Sequence, residues 1–185
     1  MKPLNILLAD DSQSVGAYVS DYLRNAGHTV THVANGEDAV EAFRSQSFDL
    51  VLMDILMPGI GGLEAVRQIK AIRTTNWVPV IIITALGAEE DILDGFMAGA
   101  DDYFVKPINS LTLDIRIRSM ARIAALQRSA NAVIDNVVEG IVLIDGRGII
   151  SRFNKAAETI FGYAPDEVLG QNVKMLMPPP FSDEH

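Results

Sequence analysis

Asp10 and Asp11 stand side by side where the apolar run "NILLA" stops, and a third acid, Asp54, ends the run "LVLM". Two like charges about 4 Å apart repel by about 4 kcal/mol at an effective dielectric near 20. An apolar strand that halts on paired acids therefore needs either a solvated loop or a cation. Three carboxylates drawn together suit a hard divalent cation, above all Mg²⁺, which keeps several waters and bridges carboxylates to phosphate. Thr84 closes "VIII" and Lys106 follows "DYFV", which adds a hydroxyl and an ammonium. With Mg²⁺ present, Asp54 can attack a phosphoryl donor while the metal and Lys106 neutralise the charge on the transferring oxygens. Thr84 can then hydrogen-bond a phosphoryl oxygen, and the acyl phosphate on Asp54 is reactive enough to be transient.

That chemistry needs the five residues in one place, and the elements around them put them there. Leu4–Ala9, Thr29–Val33, "FDLVLMD", "VPVIIITA" and "DYFV" read as five strands. Helical segments alternate with them: Ser14–Asn25, the stretch begun by "ANGEDAVEAF", Leu63–Ile72, "EEDILDGFMAGA" and a long helix from Ser110. This alternation predicts an α/β fold with a five-stranded parallel, doubly wound sheet. The near-continuous apolar strands agree, because helices cover both faces of such a sheet. Right-handed crossovers bring every strand's C-terminal end to one rim, where ligands sit in doubly wound sheets. Asp10, Asp11, Asp54, Thr84 and Lys106 all lie at or just past those ends.

Four motifs, "LLADDS", "LVLMDILMP", "VIIITA" and "DDYFVKP", stand in the order and at the spacing of the receiver domains of bacterial two-component response regulators. Residues 1–122 resemble that family, whose sheet is flavodoxin-like. The resemblance implies that Asp54 is the phosphoacceptor and that Asp11 binds Mg²⁺ directly. It implies that Asp10 helps directly or through water, and that the Leu56 carbonyl completes the protein ligands. It further implies a cis Lys106–Pro107 peptide and a switch pair, Thr84 and Tyr103, in which the ring fills space that the threonine vacates. The implied partner is a sensor histidine kinase that delivers phosphoryl groups to Asp54. Such a receiver is no turnover enzyme: it catalyses only its own phosphotransfer and dephosphorylation. Where the family often has Met-Pro-x-Met-Asp-Gly, this chain has "MPGIGGLE", which predicts a more mobile loop. Leu56 and Leu86, two residues beyond Asp54 and Thr84, are expected to obstruct the hydrolytic water and prolong the phosphorylated state.

Other readings of these residues exist. Asp10 and Asp11 suit the cap of the first helix, and Thr84 and Tyr103 taken singly suit structural roles. A flavodoxin-like module holding a phosphate-bearing cofactor would use the same rim, but no glycine-rich phosphate loop follows strand one. A Mg²⁺-dependent phosphohydrolase would need a general acid near Asp54, where the sequence has "ILMP". His28, His32 and His185 show no metal-ligand spacing and are expected in strand or surface roles.

Further along, Leu111–Val137 carries few helix breakers. Ile123, Leu126, Ala130, Val133 and Val137 step by three and four residues, an a/d seam over two heptads. Residues 123–137 are expected to form a helical, coiled-coil linker, with the 111–137 helix making a parallel homodimer; packing on its own domain is the competing use of that seam. From residue 138, "EGIVLIDGRGIISRFN" predicts a hairpin turning at Asp145–Gly148, and the remainder gives short helices and a proline stop. "FNKAAETIFGY" and "DEVLGQNVKMLMP" resemble the first half of an α+β PAS domain, with Asn154, Glu158, Phe161, Gly162 and Tyr163 on that family's recurring positions. Residues 138–185 are then a partial PAS domain. Two strands are expected to close neither a core nor a cofactor pocket, so neither haem nor flavin is assigned. The resemblance to receiver–PAS chains implies an output beyond residue 185, a histidine kinase or a GGDEF diguanylate cyclase.

Composition narrows the classes. The 185 residues are 49% hydrophobic with a formal charge of −9. Residues 1–122 hold 16 acids and 10 bases, and residues 123–185 hold 8 and 5. Neither part offers the basic patch that nucleic acid or an anionic membrane requires, so direct binding to either is not expected. There is no cysteine, hence no disulfide and no thiolate metal site. No apolar run approaches the ~20 residues of a membrane span, and a cytoplasmic protein is expected.

Overall fold

The computed structural model describes residues 2–72, 76–85 and 89–177. The chain divides into two compact units, Met1–Gln127 and Arg128–His185.

In the first unit, β1 (Asn5–Ala9), β2 (Thr29–Val33), β3 (Leu50–Asp54), β4 (Val80–Thr84) and β5 (Asp102–Val105) form one sheet in the order β2-β1-β3-β4-β5. All four pairings are parallel. The helices are α1 (Gln13–Asn25), α2 (Gly36–Ser45), α3 (Gly61–Ala71), α4 (Glu89–Met97) and α5 (Ser110–Asp135). The expected fold class is thus the observed one.

Strand side chains alternate between two cores. Leu7, Ala9, Val51, Met53, Val80 and Ile82 pack with Ala39, Val40 and Phe43 of α2 and Ala65, Val66 and Ile69 of α3. Ile6, Leu8, Leu50, Leu52, Ile81 and Ile83 pack with Val19 and Leu23 of α1 and Leu113 and Ile117 of α5. Every residue of β3 and β4 is buried, which is why these strands read as unbroken apolar runs. At ~25 cal/mol per Å² of apolar surface removed from water, each fully buried Leu or Ile contributes about 2–3 kcal/mol. Acids tolerated at the ends of such strands are therefore set against a rigid frame.

One alternative reading is set aside and two expectations are corrected. The cap of α1 is Ser12, whose hydroxyl accepts from Val15 N, so Asp10 and Asp11 are left for another use. Helix α3 begins at Gly61, two residues ahead of the expected Leu63, and the N–H of Gly62, which a first helical turn leaves open, bonds to Ile55 O at 2.9 Å. Helix α5 ends at Asp135, so Val137 lies outside it and the seam loses its last position.

The second unit carries a two-stranded antiparallel hairpin, β6 (Val142–Ile144) and β7 (Ile150–Phe153), then α6 (Lys155–Phe161), α7 (Pro165–Val168) and a 3₁₀ turn at Val173–Leu176. The prolines at 178–180 and His185 lie outside the described residues. Contrary to expectation, the unit has a small core. Ile150, Phe153, Ala157 and Val168 are buried, with Val142, Leu169, Val173 and Leu176 packed against them, because α6, α7 and the 3₁₀ turn fold onto one face of the hairpin. Asn154, wholly buried, satisfies both ends of its amide: Oδ1 accepts from Ile141 N (2.7 Å) and Ala157 N (3.0 Å), while Nδ2 donates to Ile134 O and Glu139 O. A buried amide with all four bonds made costs little, whereas one left unpaired costs ~1–3 kcal/mol.

His28, just before β2, is buried, and its Nδ1 accepts from Leu4 N–H at 3.2 Å. Burial lowers its pKa from 6.5, against the pull of Asp114 and with help from Arg118 and the N-terminus. The folded state therefore holds the imidazole neutral after the unfolded chain has begun to protonate. Stability from this group is complete above pH 6.5 and falls as the pH drops below it, with a slope of at most about 1.4 kcal/mol per pH unit. His28→Asn keeps a carbonyl acceptor near the Nδ1 position without the titration. Chemical denaturation at successive pH values is expected to show a decline between pH 6.5 and 5 in the parent protein and a shallower one in the variant.

Candidate functional site

The parallel sheet sends the C-terminal ends of β1, β3, β4 and β5 to one rim, and the five residues in question follow from it. Asp10 is the first residue past β1. Its N–H bonds to Val33 O at 3.1 Å, and its Oδ1 accepts from Ser12 N at 2.9 Å. These contacts turn the chain so that the Asp10 carboxylate is wholly buried while Asp11 stays exposed. Asp54, the last residue of β3, is 3% exposed. Its Oδ1 accepts from Leu56 N at 3.3 Å, and its Oδ2 accepts from Lys106 Nζ at 2.6 Å. Lys106 also reaches Asp10 Oδ2, at 3.0 Å. The Lys106–Pro107 peptide is cis, and Lys106 N–H bonds to Thr84 O at 2.7 Å, which ties the lysine's main chain to the end of β4.

One ammonium thus serves two buried carboxylates, with a third acid close by. One carboxylate oxygen from each of Asp10, Asp11 and Asp54 lies within 4.8 Å of the others. Asp10 Oδ2 has the charge of Lys106 beside it but no well-directed hydrogen bond. Three acids and one base carry a local charge of −2. A buried carboxylate oxygen with this little hydrogen bonding is costly unless another cation faces it. The donor set is all oxygen, which is the choice of Mg²⁺ or Ca²⁺ and a poor one for softer metals. The cluster can hold a divalent cation.

The charge states agree with crowding of acids. Burial pushes the Asp54 carboxyl above its usual 3.8; the hydrogen bond and charge of Lys106 pull it down, and Asp10 pushes it up again. Burial alone would lower Lys106, but its hydrogen bond to Asp54 and the two nearby carboxylates outweigh that and raise the ammonium above its usual 10.5. The carboxylate is the group under electrostatic stress, and added positive charge would relieve it.

Thr84 ends β4, buried, and Tyr103 lies half-buried on β5. Both line one shallow, partly open surface cleft together with Ile55, Ile82 and Phe96. The Tyr103 ring meets Phe96 edge-on at 5.9 Å, and the Arg116 guanidinium stands 5.7 Å from its centre. Arg116 is in turn fixed by Asp102, with contacts of 2.5 and 2.7 Å. Leu56 is 53% exposed beside Asp54, whereas Leu86 lies outside the described residues.

Two contacts at the rim went unread in the sequence. Glu37, in the first turn of α2, accepts from Ile60 N at 3.1 Å, tethering the loop expected to be mobile. A Cβ at Gly59, whose φ is +81°, would overlap that carboxylate, so the glycine is what lets Glu37 approach. His32 on β2 places Nε2 3.0 Å from Asp10 O. Histidine and glutamate at these positions give no pattern of their own, because each acts on main-chain atoms more than 20 residues away.

Comparison with known proteins agrees with this geometry. The family model for the response regulator receiver domain matches residues 6–118, and that for the PAS fold matches residues 130–185. Among curated proteins, the transcriptional regulatory protein AfsQ1 of Streptomyces coelicolor is 36% identical over 141 residues, 76% of this chain and 59% of its own length. TcrA of Mycobacterium tuberculosis, another transcriptional regulatory protein, is 37% identical over 68% of this chain and 49% of its own. The chain therefore spans about half the length of the curated relatives it matches. Among solved structures, a putative response regulator from Chloroflexus aurantiacus superposes with a TM-score of 0.62 at 31% identity, over 65% of this chain and 99% of that one. The receiver domain of the sensor histidine kinase PA1611 from Pseudomonas aeruginosa, solved with magnesium coordinated in its active-site cleft, gives 0.61 at 32%, over 64% and 98%. Through residues 6–118, with their parallel sheet and acid-lined rim, this chain belongs to the response regulator receiver domain family.

Proposed function

We propose that this chain is a phosphorylation switch of two-component phosphorelay signalling, which accepts a phosphoryl group on Asp54 from the phosphohistidine of a sensor histidine kinase. The observation that carries the reading is the meeting of Asp10, Asp11 and Asp54 around Lys106 at one rim of the sheet. Asp10, Asp11 and Asp54 would hold Mg²⁺, with the Leu56 carbonyl as the remaining protein ligand. The bound ion supplies charge neutralisation at the phosphoryl oxygens. A carboxylate oxygen of Asp54 attacks phosphorus; the O–P bond forms as the P–N bond breaks, and the electron pair leaves with the donor imidazole. Lys106 keeps Asp54 ionised beforehand and meets the developing oxygen charge afterwards. Thr84 donates its hydroxyl to a phosphoryl oxygen. Tyr103 then moves into the cleft the two residues share, giving two states close in energy that phosphorylation re-weights.

The units on either side of residue 127 suit a receiver over 1–122, a helical linker over 123–137 and a PAS region over 138–185. Ile123, Leu126 and Val133 of α5 are exposed, which favours a homodimer formed by two copies of this helix. Both curated relatives described above carry names of transcriptional regulators. Among the described residues no helix is long and apolar enough to cross a membrane.

Three outcomes are expected. Incubation with acetyl phosphate and Mg²⁺ should add one phosphoryl group to the intact mass, and none to Asp54→Asn or in excess chelator; label on any other residue would refute the assignment. Leu56→Asn should shorten the acyl-phosphate lifetime, read by the decay of that same mass shift, since a polar side chain admits the hydrolytic water that the leucine keeps out. Light scattering of the phosphorylated protein at high concentration should give twice the monomer mass, with Leu126→Glu returning it to the monomer.

A further inference from the structure

His32 lies outside the set of groups that touch a metal or a phosphoryl group in the proposed function, yet its ring is held on two sides at the acid rim. Its Nε2 sits 3.0 Å from the main-chain oxygen of Asp10. A carbonyl oxygen only accepts, so Nε2 carries the hydrogen and donates it. On the other side the ring lies against Gly16 of α1, which is buried; a Cβ built there would overlap Cε1 and Nε2 of the imidazole. Glycine is therefore the residue that leaves room for the ring at that distance from the loop.

The bond falls at a particular peptide. The Asp10 carbonyl belongs to the amide plane that joins Asp10 to Asp11, and the tilt of that plane sets the angle between the two side chains. Without restraint, consecutive residues of an extended chain direct their side chains to opposite sides. Here one carboxylate oxygen of each lies within 4.8 Å of the other and of Asp54. The end of β2 fixes this arrangement twice over. Val33 O takes the Asp10 N–H at 3.1 Å, and His32 holds the Asp10 C=O. With both polar groups of one residue anchored to the same neighbouring strand, the acid loop has little freedom to swing Asp11 away.

We infer that His32, seated against Gly16, is a positioning residue for the divalent-cation site, acting through the Asp10–Asp11 peptide. The inference rests on the metal site proposed above and adds the device that shapes it before the cation arrives. Groups that orient ligands from behind commonly change metal affinity by about 10–100-fold when removed. The physical reason is preorganisation: two carboxylates must otherwise be brought together against their own repulsion at the moment of binding.

The test is calorimetric titration of the intact chain with MgCl₂ alone, with no phosphoryl donor present. His32→Leu, which fills the space and cannot donate, is expected to weaken Mg²⁺ binding about tenfold. His32→Gln can present an amide N–H near the Nε2 position, and should restore affinity close to that of the parent. Gly16→Ala, which displaces the ring without altering it, should weaken binding as His32→Leu does. Thermal midpoints in chelator control for general loss of stability, since a merely structural histidine would lower the midpoint and leave Mg²⁺ affinity alone. Parental affinity in His32→Leu, or no recovery in His32→Gln, would overturn the inference while leaving the metal site itself in place. A parent protein that takes up no Mg²⁺ would instead overturn the metal site, and this inference with it.

Discussion

The unequal sharing of Lys106 governs this molecule. Its ammonium lies 2.6 Å from Asp54 and 3.0 Å from Asp10, and both carboxylates are almost entirely removed from water. One positive charge cannot neutralise two buried negative ones, and Asp11 adds a third within reach. Each unbalanced pair at about 4 Å costs about 4 kcal/mol at an effective dielectric near 20. This is a large fraction of the 5–15 kcal/mol by which a domain of this size is usually stable. The two cores on either side of the sheet sustain that load. A cation set among these carboxylates would relieve that cost, and the relief would add to its affinity.

The same imbalance explains why the site sits where it does. In a parallel sheet the rim beyond the strands' C-terminal ends is the place where several chain segments can offer side chains without disturbing the ladder. Asp54 completes the ladder and still projects its carboxylate into the rim, because β3 is central and lies between β1 and β4. Thr84 and Lys106 follow on the two next strands, joined through the Lys106 N–H to Thr84 O bond. Tyr103, held by Phe96 and by an Arg116 that Asp102 fixes, sits on the same β5 that carries Lys106. Lys106, whose ammonium bonds Asp54, therefore stands three residues from that ring along the chain.

Strands β1, β3 and β4 were the most legible, because burial on both faces leaves three short apolar runs that end on or just before Asp10, Asp54 and Thr84, whereas β2 and β5 are half-buried and carry polar residues of their own. Asp10, Asp11, Asp54, Thr84 and Lys106 could be gathered from sequence because strand ends in such a sheet converge by rule. The cap of α1 was less legible, since two aspartates and a serine compete for one position and only the turn made by Asp10 Oδ1 with Ser12 N decides among them. Glu37 and His32 were not legible at all. Each bonds to a main-chain atom on another element, Ile60 N and Asp10 O, and such bonds leave no periodicity behind. The small core of the second unit was missed for a related reason: strand counting ignores helices, and here α6 and α7 supply the cover for Ile150 and Phe153.

The end of α5 shows how a boundary can be set from a distance. The sequence offers no glycine or proline near residue 135, so its helical pattern runs on to Val137. In the fold, carbonyls of the last turns of the helix are met both by residues just after it and by side chains from β7 and Asn154. Asn154 Nδ2 donates to Ile134 O, Arg152 donates to Asn131 O and Oδ1, and the Asn136 side chain turns back onto Ala132 O. Arg152 also stands 3.9 Å from Asp135. With Ile134 O bonded by Asn154 and Ala132 O by Asn136, a further helical turn would deny Asn154 one of its partners. Asn154 also caps α6 through Ala157 N, so one amide ends one helix and starts the next. The end of α5 is therefore held both by the local turn at Asn136 and by side chains some 20 residues downstream.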